Sequence, residues 1–403
     1  MKRYEILGTI GEGAYGIVLK CQDKTSKEIF AVKKFKDKDS ENLAIKKVLL
    51  RELRALRALK HQNIIRLLKS FKQNERLYMV FEYIPDSLLD LIEKSPDGMD
   101  METIKKICYG IVKGLAFMHE QGLIHRDIKP ENILITKDNK AKIIDFGFTR
   151  SLKENEELTS YVATRWYRSL ELLFGSNYGP EVDIWALGCM MAELVNGQPL
   201  FPGDDYIDQL SQIYEAFGAF PSSFKQTIIN NKELDNINFS QYFIGYDNTR
   251  EFIEDNYSEL ADDDDFIDLL VSTLNMDKSM RITAKEALNH PFFRSLREEE
   301  EALKNSFVSR NSKFVTPMST VNKASTSRVT LSNIKLQPIA PLRKTLFKAS
   351  FNKRNTEMQK ENRESLLPQI KTSGFKTSFK KTLQPYKMSI VNHKNKFSKN
   401  IFY

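Results

Sequence analysis

At 403 residues, 41% of them hydrophobic and 28% charged, the chain is long enough for about two or three ordinary domains and apolar enough for a real core. Its formal charge of +8 is unevenly spread: residues 302–403 hold 21 Lys and Arg against 3 Asp and Glu, whereas residues 1–301 hold 40 against 50, so a mildly acidic body carries a strongly basic tail. Three scattered cysteines (Cys21, Cys108 and Cys189) exclude a disulfide framework and read as reduced thiols of a cytosolic or nuclear protein, and no apolar run reaches the length of a membrane span. Neither a secretory leader, a myristoylation glycine nor a prenylation box is expected.

The first predicted elements are strands. Tyr4-Glu5-Ile6-Leu7 opens one, Ile17-Val18-Leu19 continues after a glycine-rich interruption, and Ile29-Phe30-Ala31-Val32 makes a third. The interruption reads Gly11-Glu12-Gly13-Ala14-Tyr15-Gly16. Alone, such a string is weak evidence, because dinucleotide folds use it too; there, however, the glycines lead into a helix. Here they lie between strands, where backbone N–H groups can approach a triphosphate with no Cβ in the way. Lys33 ends the third strand. A helix predicted over 41–59 puts Leu49, Leu53, Leu56 and Leu59 on one face, and Glu52 falls on that face with them. A carboxylate there is costly unless paired. Lys33 would supply the partner; the alternative is a glutamate at the stripe's edge reaching water.

A short strand around 67–71 and a dense apolar strand over 77–84 follow. A helix over 103–120 carries Ile104, Ile107, Cys108, Ile111, Leu115 and Met118 on one face and stops at Gly122, as a buried scaffold would. It delivers the chain to His125-Arg126-Asp127-Ile128-Lys129-Pro130-Glu131-Asn132. Two apolar runs, Ile133-Leu134-Ile135 and Ile143-Ile144, then predict a tight hairpin ending in Asp145-Phe146-Gly147. That hairpin would hold the acids at a fixed separation. Asp127 can accept a proton from an incoming hydroxyl, and Asn132 and Asp145 are hard oxygen ligands suited to Mg²⁺. His125 reads as a packed structural histidine rather than a base.

This ordered set resembles the eukaryotic protein kinases, over residues 1–293. The resemblance implies an α+β bilobal fold: an antiparallel-sheet N-lobe (1–84), a larger, mostly helical C-lobe (85–293) and a basic tail (294–403) whose composition predicts disorder. It also implies ATP and Mg²⁺ as cofactors. By resemblance the nucleotide pocket comprises Ile10, Gly11, Glu12, Gly13, Ala14, Tyr15, Gly16, Val18, Ala31, Lys33 and Phe81, with the backbone of Glu82 and Ile84 bonding adenine. Lys33 and Glu52 would position the α- and β-phosphates, Lys129 would neutralise the transferred phosphoryl group, and Asn132 and Asp145 would hold the metal. Asp183 is expected to anchor the loop carrying Asp127, and Arg281 to pair with Glu171.

Thr159-Ser160-Tyr161 lies in a polar stretch after Asp145. A phosphate on Thr159 would carry about −1.5 to −2 charges and could gather Arg51, Arg126 and Arg150; activation by an upstream kinase acting on Thr159, with Tyr161, is the expectation, an ordinary loop the alternative. The string Ala163-Thr164-Arg165-Trp166-Tyr167-Arg168-Ser169 resembles the group of cyclin-dependent and mitogen-activated kinases, and within it the cyclin-dependent kinase-like family. In that group Arg168 would shape a pocket for proline after the target residue, and Thr164 would brace the catalytic loop, implying protein Ser/Thr substrates. Leu170 stands where most relatives have proline, which relaxes a backbone restriction. Tyr15 could carry an inhibitory phosphate. The helix bearing Glu52 lacks a cyclin-binding string, so no cyclin is expected. In the tail, Phe347, Phe351, Phe375 and Phe379 interleave with lysines; its expected partners are acidic, such as nucleic acid, acidic lipid or tubulin, against a merely solvated tail. Family resemblance alone suggests a cilium or flagellum. A pseudokinase scaffold is the competing class, and it has no chemical need for Lys33, Glu52, Asp127, Asn132 and Asp145 together.

Overall fold

The computed structural model describes residues 1–13, 16–35, 43–74, 76–151, 164–230 and 238–312. The N-terminal lobe is a five-stranded antiparallel sheet: β1 (Tyr4–Gly13), β2 (Gly16–Asp23), β3 (Ile29–Phe35), β4 (Leu67–Gln73) and β5 (Arg76–Glu82), in the order β1-β2-β3-β5-β4. Strand periodicity of two sorts its residues. Leu19, Cys21, Val32, Tyr78 and Val80 form a small cluster on one side. The register puts Val18 opposite Lys33, Lys33 opposite Met79, and Ala31 opposite Phe81. These residues therefore share the other side, where Met79 and Phe81 join the main core. Helix α1 (Leu43–Ala58) lies between β3 and β4 in sequence and brings Leu49, Ala55, Leu56 and the following Leu59 into that core.

The C-terminal lobe begins with β6 (Asp86–Ser87) and α2 (Leu88–Lys94), which opens on a capping box of Ser87 and Asp90. Helix α3 (Met101–Glu120) is capped by Asp100, whose carboxylate accepts from Thr103 N at 2.9 Å; Ile104, Ile107, Cys108, Ile111, Leu115 and Met118 are all fully buried, as their spacing predicts. Then come β7 (Leu123–Ile124), a 3₁₀ turn at Pro130–Asn132, and the hairpin of β8 (Ile133–Ile135) and β9 (Ala141–Ile143), with β6 pairing alongside β8. Strand β10 (Arg150–Ser151) pairs with β7. Short α4 (Leu170–Leu173) follows.

Helix α5 (Glu181–Asn196) is the hub. Every residue from Val182 to Val195 is buried, which is what a helix apolar on all faces requires. Glu181 and Asp183 complement the dipole at its start, and Gly197 closes it at φ +73°, a left-handed conformation that favours glycine. Helices α3, α8 (Thr249–Ala261) and α9 (Asp264–Thr273) pack against it; α6 (Tyr206–Phe217) packs on α8, α7 (Phe224–Asn230) follows α6 in the chain, and α10 (Ala284–Leu288) packs on α3. Trp185, Phe201 and Phe217 form one ring cluster, with centroids 5.2–6.3 Å apart. Among the described residues no helix is long and apolar enough to cross a membrane, and all three cysteines are buried thiols.

One boundary differs from the sequence reading. The tail was expected to start at 294, but α11 (Arg294–Ser312) begins there and continues the folded body. Leu296 is buried, Arg297 donates to the Leu288 and His290 carbonyls at 2.8 and 2.7 Å, and Glu300 pairs with Lys113 of α3. With so few apolar residues in a run of charges, this docking leaves no periodic signal. Ala14, Tyr15, Thr159, Tyr161 and the basic residues beyond 312 lie outside the described residues.

Candidate active site

Strand β3 and helix α1 meet at an ion pair. Lys33 Nζ lies 2.7 Å from Glu52 Oε1 and 3.7 Å from Asp145 Oδ1. Glu52 is 3% exposed, so the open question of its partner resolves as Lys33 rather than water. Burial works against every charge here. For Lys33, desolvation pulls the pKa down, but Asp145 and Glu52 more than offset it and the net shift is upward. For Asp145, burial pushes up, while Lys33 and the Gly147 N–H bring the carboxyl below its usual range. For Glu52, burial prevails over the attraction of Lys33 and the pKa rises. At neutral pH the site therefore keeps a cation at Lys33 and an anion at Asp145.

The loop carrying Asp127 is held from below. Asp183, at the start of α5, accepts from His125 N at 2.9 Å, from Arg126 N at 2.8 Å and from His119 at 2.9 Å. Burial raises the Asp183 pKa, but His119 and the loop N–H groups bring it below the usual carboxylate range. Two residues of the site sit in left-handed backbone: Arg126 at φ +70° and Asp145 at φ +58°. Neither is a glycine, so both conformations must be held by surrounding contacts. His125 is fully buried; its Nε2 lies 2.9 Å from the Ile144 carbonyl, Nδ1 accepts from Asp127 N at 3.3 Å, and its ring packs edge-on against buried Phe146. It is a strut between the two acid-bearing segments, as its sequence context suggests.

Asn132 Nδ2 donates to the Asp127 carbonyl and to Asp127 Oδ2, both at 2.7 Å, and Lys129 Nζ stands 3.5 Å from the same Oδ2. With its amide hydrogens engaged by Asp127, Asn132 has its carbonyl oxygen left for a cation. No group of three or more His, Cys, Asp or Glu with metal-binding geometry occurs among the described residues. Two hard oxygens, Asn132 and Asp145, suit Mg²⁺, which keeps waters and phosphate oxygens in its shell.

The expected nucleotide residues line up as follows. Val18, Ala31, Lys33 and Phe81 share the sheet face described above. Ile10 lies at a register shift in β1 and is 40% exposed; Gly11, Glu12 and Gly13 pair with Val18, Ile17 and Gly16. A Cβ on Gly16 would come within 2.5 Å of the Lys34 carbonyl, so no side chain fits there. The Glu82 side chain faces away from any adenine role: it accepts from Arg66 N at 3.0 Å and pairs with Lys142 at 3.0 Å, tying the strand end to β9, and Ile84 packs on the core. A small cavity of about 10 Å³ is lined by Thr164 and Arg168 together with Asp127 and Lys129. Leu170 is fully buried at the first turn of α4, and Ser169 before it is extended (φ −70°, ψ 159°). That is the backbone proline would impose, reached here without it. Arg281 holds Glu171 through two bonds of 2.7 and 3.3 Å, both side chains fully buried.

Several partners were not read from sequence. His119 beneath Asp183 and Lys142 beside Glu82 are ordinary helix and strand residues until the chain folds. Glu193 left a signal that was not used: like Glu52, it is a lone carboxylate in an apolar helix. It accepts from the Tyr167 hydroxyl at 2.7 Å. Burial raises its pKa to about 7, with the Tyr167 bond opposing and the nearby Glu131 carboxylate adding to the rise. Folded Glu193 thus keeps a proton that the unfolded chain releases near pH 4.5, and stability should fall as pH rises from about 4.5 to about 7. Glu193→Gln is expected to flatten the melting temperature against pH over that window. Parallel curves for the two proteins would show that Glu193 ionises normally.

Fold and site together make this a protein kinase domain, and a family profile of that description matches residues 4–293. Among curated proteins, cyclin-dependent kinase-like 5 of Mus musculus is 43% identical over 299 residues, covering 74% of this chain and 31% of its own length. Cyclin-dependent kinase-like 2 of Homo sapiens is 41% identical over 297 residues, 73% of this chain and 58% of its own. Cyclin-dependent kinase-like 4 of Mus musculus is 38% identical over 301 residues, 74% of this chain and 86% of its own. The chain belongs to the cyclin-dependent kinase-like family of protein kinases. The matched region spans about a third of the kinase-like 5 relatives and somewhat over half of the kinase-like 2 relatives.

Proposed function

We propose that the chain is an ATP- and Mg²⁺-dependent protein serine/threonine kinase that prefers proline after the target residue and is activated by phosphorylation of the 159–161 loop. The observation that carries the phosphoryl-transfer reading is the intact Lys33–Glu52–Asp145 contact alongside an Asp127 carboxylate fixed by Asn132 and Lys129; the proline preference and loop activation rest on family resemblance. A scaffold would have no use for all of these contacts at once.

Bound ATP and Mg²⁺ supply an activated phosphoryl group and the charge to neutralise it. Lys33 would hold the phosphates, itself held by Glu52, and Asn132 and Asp145 would hold the metal. Asp127 orients the substrate hydroxyl and takes its proton; the Asn132 bond keeps the receiving oxygen in place. Lys129 adds positive charge beside that oxygen as negative charge develops on the transferred group. Catalysis of this kind rests on positioning and electrostatics, and turnover of roughly 1–100 s⁻¹ is the expected range.

Phosphate transfer from Mg²⁺-ATP to a library of Ser- and Thr-containing peptides, using the full chain with and without phosphothreonine at 159, tests the reading. Preferred transfer to Ser-Pro and Thr-Pro peptides, increased by the phosphate, is expected. Transfer indifferent to proline would remove the assigned role of Arg168; no transfer in either form would return the scaffold reading. The basic tail is proposed to contact an acidic macromolecule, and retention on tubulin or nucleic acid that does not weaken with salt would contradict that.

A further inference from the structure

The outer face of the N-lobe sheet carries a groove of about 500 Å³. One wall is a turn over residues 1–4, in which Tyr4 N donates to the Met1 carbonyl at 2.8 Å; the other is β4, through Lys69, Phe71 and Gln73. Lys69 and Phe71 stand opposite Val80 and Tyr78. Met1, Tyr4 and Phe71 pack on the small cluster that holds those two residues. The groove therefore lies on the side of the sheet away from Val18, Ala31 and Lys33.

Its aromatic surfaces are held in place. Phe71 stacks on Tyr78 with ring centroids 5.1 Å apart, and Tyr4 meets Phe30 edge-on at 6.1 Å. Arg3 is fixed through Nε by buried Asp23, which also accepts from Thr25 N at 2.8 Å. Among the described residues its Nη groups have no hydrogen-bond partner, and exposed Lys2 and Lys69 have no ion-pair partner. No described aspartate or glutamate lines the groove.

Uncompensated positive charge sets the sign of the occupant. The chain's own tail, with 21 Lys and Arg against 3 Asp and Glu over residues 302–403, is repelled. A long polyanion meets a net-acidic body, 40 Lys and Arg against 50 Asp and Glu over residues 1–301, and a flat anionic surface does not enter a concave site. A short acidic peptide with apolar side chains matches both the cations and the rings. We propose that this groove is a docking site for an acidic segment of a partner protein. Lys2, Arg3 and Lys69 receive its carboxylates, and an apolar side chain lies on Tyr4 and Phe71. No residue assigned to phosphoryl transfer takes part.

The test uses the full chain and a short, end-blocked peptide alternating glutamate with leucine. A carbodiimide couples the peptide carboxylates to neighbouring amines, and mass spectrometry maps the coupled lysines. Coupling at Lys2 and Lys69 is expected at peptide concentrations that leave Lys137, exposed in the β8–β9 turn, unmodified. Coupling confined to lysines beyond residue 312, or equal at Lys137, would overturn the proposal. Lys2→Gln should raise the concentration for half-maximal coupling at Lys69 by about two- to fivefold, the scale of one exposed ion pair, and Lys137→Gln should leave it unchanged. No shift from Lys2→Gln, or an equal shift from Lys137→Gln, would also overturn it. A glutamate–serine peptide should need a higher concentration than the glutamate–leucine peptide; equal values would reduce the groove to a patch of charge. A single-stranded oligonucleotide of equal charge should displace the peptide from Lys69 only at a higher concentration than free peptide does. Displacement at a lower concentration would assign the groove to nucleic acid and overturn the peptide reading.

Discussion

Asp127→Asn should lower kcat by about 10²–10⁴-fold while leaving KM for ATP nearly unchanged. The substitution preserves the shape that Asn132 and Lys129 grip at 2.7 and 3.5 Å, but an amide cannot take the hydroxyl proton. Asp145→Asn removes charge from the metal position and from the Lys33 contact at 3.7 Å, so there the KM for Mg²⁺-ATP should rise as well. Steady-state kinetics with both substrates varied separates these outcomes. If Asp127→Asn retained kcat and lost nucleotide affinity instead, the assignment of proton acceptor and metal ligand would have to be exchanged.

The largest effect on stability should come from the Glu171–Arg281 bridge. Arg281→Met leaves the Glu171 carboxylate fully buried without its counter-ion, a change expected to cost about 3–5 kcal/mol. Arg281 also donates to the Glu181 and Asn275 carbonyls at 2.8 and 3.0 Å and lies 5.2 Å from the Trp185 ring, so its removal loosens three segments together. The melting temperature should fall by more than about 5 °C. The double variant Glu171→Leu, Arg281→Met should recover part of that loss, because no uncompensated charge remains. It should not recover all of it, since the two carbonyls lose their donor. A double variant melting lower than both singles would mean that packing around the pair, not charge burial, sets its value.

Legibility varied with the kind of constraint. Glu52 could be read because a carboxylate at apolar helical spacing demands a partner, and Lys33 was the lysine at a strand end nearby. The hairpin over 133–143 could be read because alternation and turn residues are local. Val18, Ala31 and Phe81 share a face through register, which strand period and pairing order jointly set. The extent of helix α11 (Arg294–Ser312) could not be read, although the charge balance places the end of the acidic body within it. Its docking depends on Leu296, on Arg297 reaching two carbonyls and on Glu300 meeting Lys113, contacts scattered in a run of charges.

By itself the sequence determined the class of chemistry and the identities of the acids, amide and lysines at the site, because motif spacing and apolar periodicity act over short stretches of chain; the two-lobed architecture followed from the resemblance those motifs carry. Only the tertiary structure decided which further groups hold those residues in working positions: His119 under Asp183, Asn132 turned onto Asp127, Glu193 receiving Tyr167, and Tyr178 between two arginines. These contacts join residues far apart in the chain and act through distances of about 3 Å, the range at which hydrogen bonds and buried charges carry their energy. No local pattern can specify a distance between segments that meet only after the core has formed.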